Sequence, residues 1–484
     1  MAASDGIKHV VVLMLENRSF DCMFGKLYPK SGGFEGLQGN ETNPLTLPDG
    51  SRQEIPVWND DGMGPATACI PDPDPPELFA DINMQIFALG GSPSDPPKMN
   101  GFVDSYVRQP GPPKPDPMSV MHYFTEKQVP VISQLAKAFG VSDQWHASAP
   151  CQTWPNRFFA HTGTAGGYVN NEPYHFPYEM ATIFERLGAS GKTWKVYFHD
   201  LPQSAALANI WHEIPFHFRF FEEEFAQDCR NGDLPNYSFI EPRYFTSGGE
   251  LPNDQHPPHN IAYGEQLIAD VYNAVRSAPS WKQTLLIVTY DEHGGCFDHI
   301  SPPKAVPPSN EPTPSGFSFD RYGVRVPAVI ISPYMPPGSI VRSNPTGVPY
   351  QGPPYPYDHA SIIATLRKLF GLGTPLTARD GAAPDLTGAL SLKEPTNDGP
   401  ASVSPTSRVP TAQELNKTAS APPNPMQRSL VAMSAQLPIK AAQASAHIAA
   451  LKAGRTPPPH PQPQSVEDAL RLIGDRFRSL IGAR

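Results

Sequence analysis

Three short polar clusters and a handful of histidines carry residue types that can do chemistry together. Glu16-Asn17-Arg18 directly follows the apolar run Val10–Leu15. Glu16 and Asn17 offer hard oxygen atoms suited to Ca²⁺, Mg²⁺ or Mn²⁺, and Arg18 can pair with a phosphate or brace a carboxylate. Asp291-Glu292 ends a second apolar run, Thr284–Tyr290. Thr153 stands just before Trp154-Pro155-Asn156-Arg157, where a proline suits the first turn of a helix. A hydroxyl there sees amide N–H groups and the helix dipole, which favour an alkoxide that attacks phosphorus. A metal touching four oxygen ligands, Glu16, Asn17, Asp291 and Glu292, with Thr153 as a fifth, would lower the hydroxyl pKa and hold a phosphoryl oxygen. His256, then His122 and His359, stand by to move the leaving group's proton near neutral pH. Each cluster also has a plainer reading: a strand end with an Asn17 or Ser19 cap, an N-cap at Thr153, and surface or structural histidines.

The elements that must position these residues alternate between strand and helix. Val10–Leu15, Thr284–Tyr290 and Val326–Ser332 are short continuous apolar runs, the pattern of strands buried on both faces. Thr193–Phe198 and Tyr237–Glu241 read as further strands. Gln128–Phe139, Asn156–Thr162, Thr182–Leu187, Tyr263–Val275 and Ile362–Phe370 read as helices. The fold class is therefore α/β, a mostly parallel central sheet with helices on both faces. Ligands of such sheets bind at the carboxyl ends of the strands, where both acidic tips fall.

The 484 residues carry a net charge of -10, which argues against nucleic acid as a partner. Leu27–Pro117, rich in Gly, Pro, Asp and Asn, reads as a long excursion with few regular elements, either a wall around the site or a solvated insertion. Five widely spaced cysteines form no zinc pattern and no evident disulfide framework. No apolar run reaches membrane-spanning length and the start MAASDGIKHV has no leader pattern, so a cytoplasmic chain or the mature form of a secreted one is expected. Composition divides the chain into residues 1–393 and a Pro/Ala-rich extension, 394–484. Arg455–Gln464 reads as a stiff linker and Ser465–Arg484 as an amphipathic helix that docks on the chain or a partner, or lies on a membrane surface.

Five segments resemble the phosphoesterase family of bacterial non-haemolytic and plant non-specific phospholipases C and related acid phosphatases. They are ENRSFD (Glu16–Asp21), TWPNR (Thr153–Arg157), IEP with the later DQHPP (Ile240–Pro242, Asp254–Pro258), YDEHGGCFDHISPP (Tyr290–Pro303) and DHASI (Asp358–Ile362), within roughly residues 6–390. The resemblance implies an alkaline-phosphatase-like fold and one divalent ion, Ca²⁺ first with Mg²⁺, Mn²⁺ or Zn²⁺ open, on Glu16, Asn17, Asp291, Glu292 and Thr153. It implies Thr153 as nucleophile and His256 beside the leaving group, with His122 and His359 as further catalytic candidates. Arg18, Asn156, Arg157, His199 and His293 are expected at the substrate or bracing the site. The activity implied is a phospholipase C acting on phosphatidylcholine-type diesters through a phospho-threonine, with a broad-specificity acid phosphatase as the alternative. A phospholipid or small phosphoester is the expected partner, peripheral membrane contact is left open, and no oligomeric state is assigned. A sulfatase would want cysteine or serine where Thr153 stands.

Overall fold

β1 (His9–Leu15) and β8 (Thr284–Tyr290) lie side by side, parallel and in register from His9 opposite Thr284 to Leu15 opposite Tyr290. Every residue of β8, and every residue of β1 after His9, is buried, as β-branched and leucine side chains in a sheet covered on both faces should be. Around this pair the computed structural model builds an eight-stranded sheet in the order β10-β4-β9-β8-β1-β7-β5-β6. The other strands are β4 (Gly140–Ser142), β5 (Trp194–Phe198), β6 (Phe218–Phe220), β7 (Tyr237–Ile240), β9 (Ala328–Ile331) and β10 (Ser339–Ile340). Only β9 runs against its neighbours, pairing antiparallel with both β8 and β4. The structure describes residues 6–482 except 30–32, 63, 112–113, 345–351, 406–408 and 455–462.

Helices Pro130–Ala138 and Ile261–Ser277 pack on each other and on β9, β8 and β1, while Thr153–Thr162 packs on Ala360–Phe370. The expected mostly parallel α/β architecture is therefore present. Three strands of this sheet escaped the sequence reading: β4 and β6 have three residues each and β10 two, too few for a period to show.

The segment Leu27–Pro117 is more ordered than its composition suggests. It holds a hairpin, β2 (Thr42–Thr46) and β3 (Arg52–Pro56), and the helices Phe79–Phe87 and Phe102–Val107. Ile82, Ile86, Phe87, Phe102, Val103 and Tyr106 give it an apolar cluster of its own. These apolar residues recur at helical spacing inside a proline- and glycine-rich run that masks them.

The carboxy-terminal extension docks on the sheet domain. Helix Val466–Ile481 buries Val466, Ala469, Ile473, Phe477 and Leu480, with Phe477 edge-on to Phe198 at 5.2 Å. Its apolar face is thereby used within the chain rather than presented to a membrane. Gln427 Nε2 donates to the Tyr244 carbonyl at 2.7 Å. Most of the expected linker Arg455–Gln464 lies outside the described residues. Among the described residues, no helix is long and apolar enough to cross a membrane, and no disulfide is formed.

A buried charge network ties the segment after β1 to the segment after β8. Arg325 donates to Asp21 Oδ1 and Asp298 Oδ1, each at 3.0 Å, and to the carbonyls of Glu35 and Asp143. Asp21, Asp298 and His299 have the spacing of a metal site, but this guanidinium already lies against both carboxylates. His299 Nδ1 meets Asp21 Oδ2 at 2.6 Å. Burial opposes the imidazolium, yet the Asp21 charge together with the hydrogen bonds to Asp21 and Glu35 outweighs it and carries His299 up to about 10. A group raised on folding adds stability that is whole below its unfolded value and lost as pH climbs through the folded one. His299→Gln should therefore lower Tm clearly at pH 6 and much less at pH 10, as thermal unfolding of the two proteins across that window will show.

Candidate metal and phosphoester site

Because β1 and β8 end together, the residues that follow them meet. Asp291 N donates to the Leu15 carbonyl at 3.3 Å, and Asn17 N donates to Asp291 Oδ1 at 3.2 Å. Asn17 adopts a left-handed backbone, φ +57, which asparagine tolerates better than most residues. That turn points its carboxamide across the gap: Nδ2 donates to Glu292 Oε1 at 2.9 Å and to Glu77 Oε1 at 2.6 Å. Gly294 and Gly295 also have positive φ, and a Cβ on them would collide with the Asn17 carbonyl and with Pro75 respectively. Glycine is what lets the loop after β8 nest between Asn17 and the proline-rich segment.

Thr153 opens the helix Thr153–Thr162 with its hydroxyl donating to Asn17 Oδ1 at 3.5 Å. Asn156 holds that opening by donating to the carbonyls of Ala149, Cys151 and Gln152 and accepting from Ala149 N. Arg157 points the other way. It reaches Asp291 Oδ2 at 2.9 Å, Glu16 Oε1 at 3.3 Å and Glu241 Oε2 at 3.8 Å, and donates to the Met14 and Leu15 carbonyls. It thus locks the helix that begins at Thr153 onto the strand tips. Glu16 correspondingly spends Oε1 on Arg157 and Gln203, while its Oε2 is buried without a partner.

Two carboxylates enter that were not foreseen, Asp74 and Glu77, both from the segment Pro71–Phe79. With His256 they place three ligand atoms within 4.8 Å of one another. His256 Nδ1 donates to its neighbour's carbonyl, Pro257 O, at 2.6 Å. This fixes the tautomer and leaves the Nε2 lone pair 3.6 Å from Glu77 Oε1, buried and without a hydrogen-bond partner. A backbone-anchored Nδ1–H with a bare Nε2 is how protein metal sites hold a histidine. Asp74 Oδ1 is likewise orphaned. Arg18 braces this wall: Nε donates to the Gln255 carbonyl at 2.8 Å and Nη1 to the Ile70 carbonyl at 2.6 Å, while buried Nη2 has no partner.

Burial, then the Glu77 and Glu292 charges, pushes Asp74 well above the usual range, and burial, then the Glu292 charge, does the same to Glu77. Glu292 is pushed up by burial and then by Asp291. A cation removes that repulsion, so Asp74, Glu77, Glu292, His256 and the Asn17 amide fit a divalent ion of the hard, oxygen-preferring kind.

The remaining candidates are bound up structurally. His359 Nε2 donates to the Asp291 carbonyl at 2.6 Å and its Nδ1 accepts from Trp145 Nε1 at 3.3 Å, so it has no free nitrogen. His293 Nε2 pairs with Gln85 Oε1 at 2.8 Å, with Nδ1 3.1 Å from Glu292. His199 Nδ1 meets the Glu241 carbonyl and its ring stacks on Phe221. His122 is wedged edge-on between Trp58 and Phe124, with Nε2 at 3.3 Å from Asn59. Burial lowers His122, His256 and His359 to about 4 and His199 and His293 to about 3. A desolvated ring stays neutral at pH 7, so burial favours the form of these histidines that accepts a proton.

The sequence signal for Asp74 and Glu77 was faint: two acids three residues apart, in a run of prolines without a period.

The profile of the Phosphoesterase family matches residues 7–373. The chain is 38% identical over 388 residues to non-specific phospholipase C1 of Arabidopsis thaliana, covering 78% of this chain and 69% of that protein. It is 30% identical over 440 residues to phospholipase C A of Mycobacterium tuberculosis, covering 81% of this chain and 78% of that one. A solved alkaline phosphatase superfamily protein from Vibrio parahaemolyticus overlaps 53% of this chain and 64% of its own at 14% identity and a TM-score of 0.32, too slight a likeness to argue from. With its strand tips, its threonine and its acidic cluster arranged about one point, this chain belongs to the Phosphoesterase family.

Proposed function

We propose that the protein is a metal-dependent phospholipase C, cleaving the phosphodiester of phosphatidylcholine-type lipids through a phosphorylated Thr153. The observation that carries this reading is the meeting of Thr153 with Asn17 at the edge of the Asp74–Glu77–Glu292–His256 cluster. The relatives named phospholipase C support the choice of a diester.

Asn17, Asp74, Glu77, Glu292 and His256 would hold the divalent ion. Bound there, it supplies Lewis acidity, lowering the pKa of a nearby hydroxyl and neutralising a non-bridging phosphoryl oxygen. Thr153 Oγ1 gives its proton to the carboxylate cluster and attacks phosphorus, and the bond to the diacylglycerol oxygen breaks. The Thr153 N–H and the helix dipole meet the added negative charge. The departing alcohol takes its proton from solvent, which reaches the cluster beside Asp74, whose side chain is 19% exposed. Water then breaks the new Thr153–phosphorus bond and frees the phosphorylated head group. Arg157, Asn156 and His359 act by position, fixing the helix start and the Asp291 backbone.

Thr153→Ala should abolish turnover while metal content and Tm stay near wild type, as activity assays run beside elemental analysis will show. Glu77→Gln should weaken the bound ion by at least about tenfold, by the measure of competition with a chelator. The chelated wild type should lose hydrolysis of phosphatidylcholine and of a nitrophenyl phosphate monoester alike. Equal rates on the two substrates when metal is restored would favour a broad phosphatase instead.

A further inference from the structure

Three segments beside the site, 76–84, 166–178 and 313–320, carry apolar side chains that the reaction does not use. Directly after Glu77, Leu78 is 51% exposed, an unusual place for leucine next to a buried carboxylate. Phe79 follows, its ring 5.0 Å from Phe317, which lies 4.9 Å from Phe319. Phe319 in turn packs on Phe159 of the Thr153 helix at 5.9 Å. Leu78 is therefore held out by an aromatic column rather than by a loose loop. The third loop is tied to the other two at both ends. Asn170 Oδ1 accepts from Phe79 N at 2.9 Å, and Asn171 Oδ1 accepts from Trp154 N, next to Thr153, at 2.8 Å. This loop carries Tyr174, 68% exposed. Two exposed large apolar side chains thus stand on neighbouring segments that also touch the helix carrying Thr153.

Residues 76–84, 166–178 and 313–320 contain no lysine or arginine; their charges are Glu77, Asp81, Glu172 and Asp320. Arg321, next along, is folded back onto the Phe87 ring at 4.6 Å and the Pro93 carbonyl at 2.7 Å. Binding to anionic lipid relies on clustered basic residues near the surface. An apolar, weakly acidic rim with an interfacial tyrosine suits a net-neutral surface instead.

We propose that Leu78 and Tyr174, backed by Phe79 and Phe317, form a docking rim that seats the site on a zwitterionic phospholipid bilayer. The inference rests on the phospholipid reading above and adds the surface and its charge preference. Insertion of the rim presents the head-group layer to Glu77 and Thr153 without lifting the acyl chains far from the membrane.

The test uses the full metal-loaded chain, with Leu78→Ser, Tyr174→Ser and the double variant. Flotation is measured with phosphatidylcholine vesicles and with vesicles in which part of that lipid is replaced by phosphatidylserine. Hydrolysis is measured on the same vesicles and on dissolved nitrophenyl phosphocholine. The proposal expects the double variant to lose about tenfold in vesicle binding and vesicle turnover, the scale of withdrawing one or two apolar side chains from an interface. It expects the rate on the dissolved ester to stay unchanged, and phosphatidylserine to add no affinity. Unchanged vesicle binding in the double variant, tighter binding to phosphatidylserine, or a loss of dimerisation in place of a loss of vesicle binding would each overturn it. If wild type floats with the vesicles yet cleaves only dissolved esters, the phospholipase reading fails while the rim stands. If every variant cleaves vesicle lipid like wild type, the rim fails while that reading stands.

Discussion

Everything in the site hangs on one pairing, β1 against β8 in parallel register. Seven consecutive residue pairs, nearly all buried, fix where each strand stops, and a one-residue slip would turn every side chain to the opposite face of the sheet. With Leu15 opposite Tyr290, Glu16 and Asp291 leave the sheet together and Asn17 turns back over Glu292. Apolar burial in the strands thus buys the placement of polar groups that could not hold themselves together in water.

The charges at those tips fall into two sets with different partners. Arg157 threads between Glu16, Glu241 and Asp291, so these acids have a cation built into the fold. Burial and neighbouring carboxylates push Asp74, Glu77 and Glu292 up, and the Arg18 guanidinium offsets only part of this at Asp74. Removing charges from water costs several kcal/mol per ion unless they are paired. This asymmetry supports the proposed ligand set: the fold already compensates the first group, and a bound divalent ion would compensate the second. In that proposal Arg157 has a positioning role.

Much of this was legible in the chain. The two long apolar runs named their strands, the acidic tips after them named a strand-end site, and the threonine before a proline named the helix start. The illegible parts have physical causes. Asp74 and Glu77 lie in a segment whose path is set by distant contacts, Arg18 to the Ile70 carbonyl and Pro75 against Gly295. No local period announces such a path. Sequence shows a histidine ring and not its surroundings: His359 has both nitrogens spoken for, and His256 is anchored by the carbonyl of the residue after it. The carboxy-terminal helix showed an apolar face without saying what covers it. That face meets Phe198 of β5, while Gln427 in the helix Pro425–Gln436 fixes Tyr244, whose ring lies 6.0 Å from the Arg157 guanidinium. The extension therefore reaches the strand-tip clamp through two contacts.

The most direct test is a crystal of the protein soaked with Mn²⁺ and measured for anomalous scattering. The account predicts one strong peak bounded by Asn17, Asp74, Glu77, Glu292 and His256, within reach of the Thr153 hydroxyl. A peak at Asp21, Asp298 and His299, or none within reach of Thr153, would contradict it.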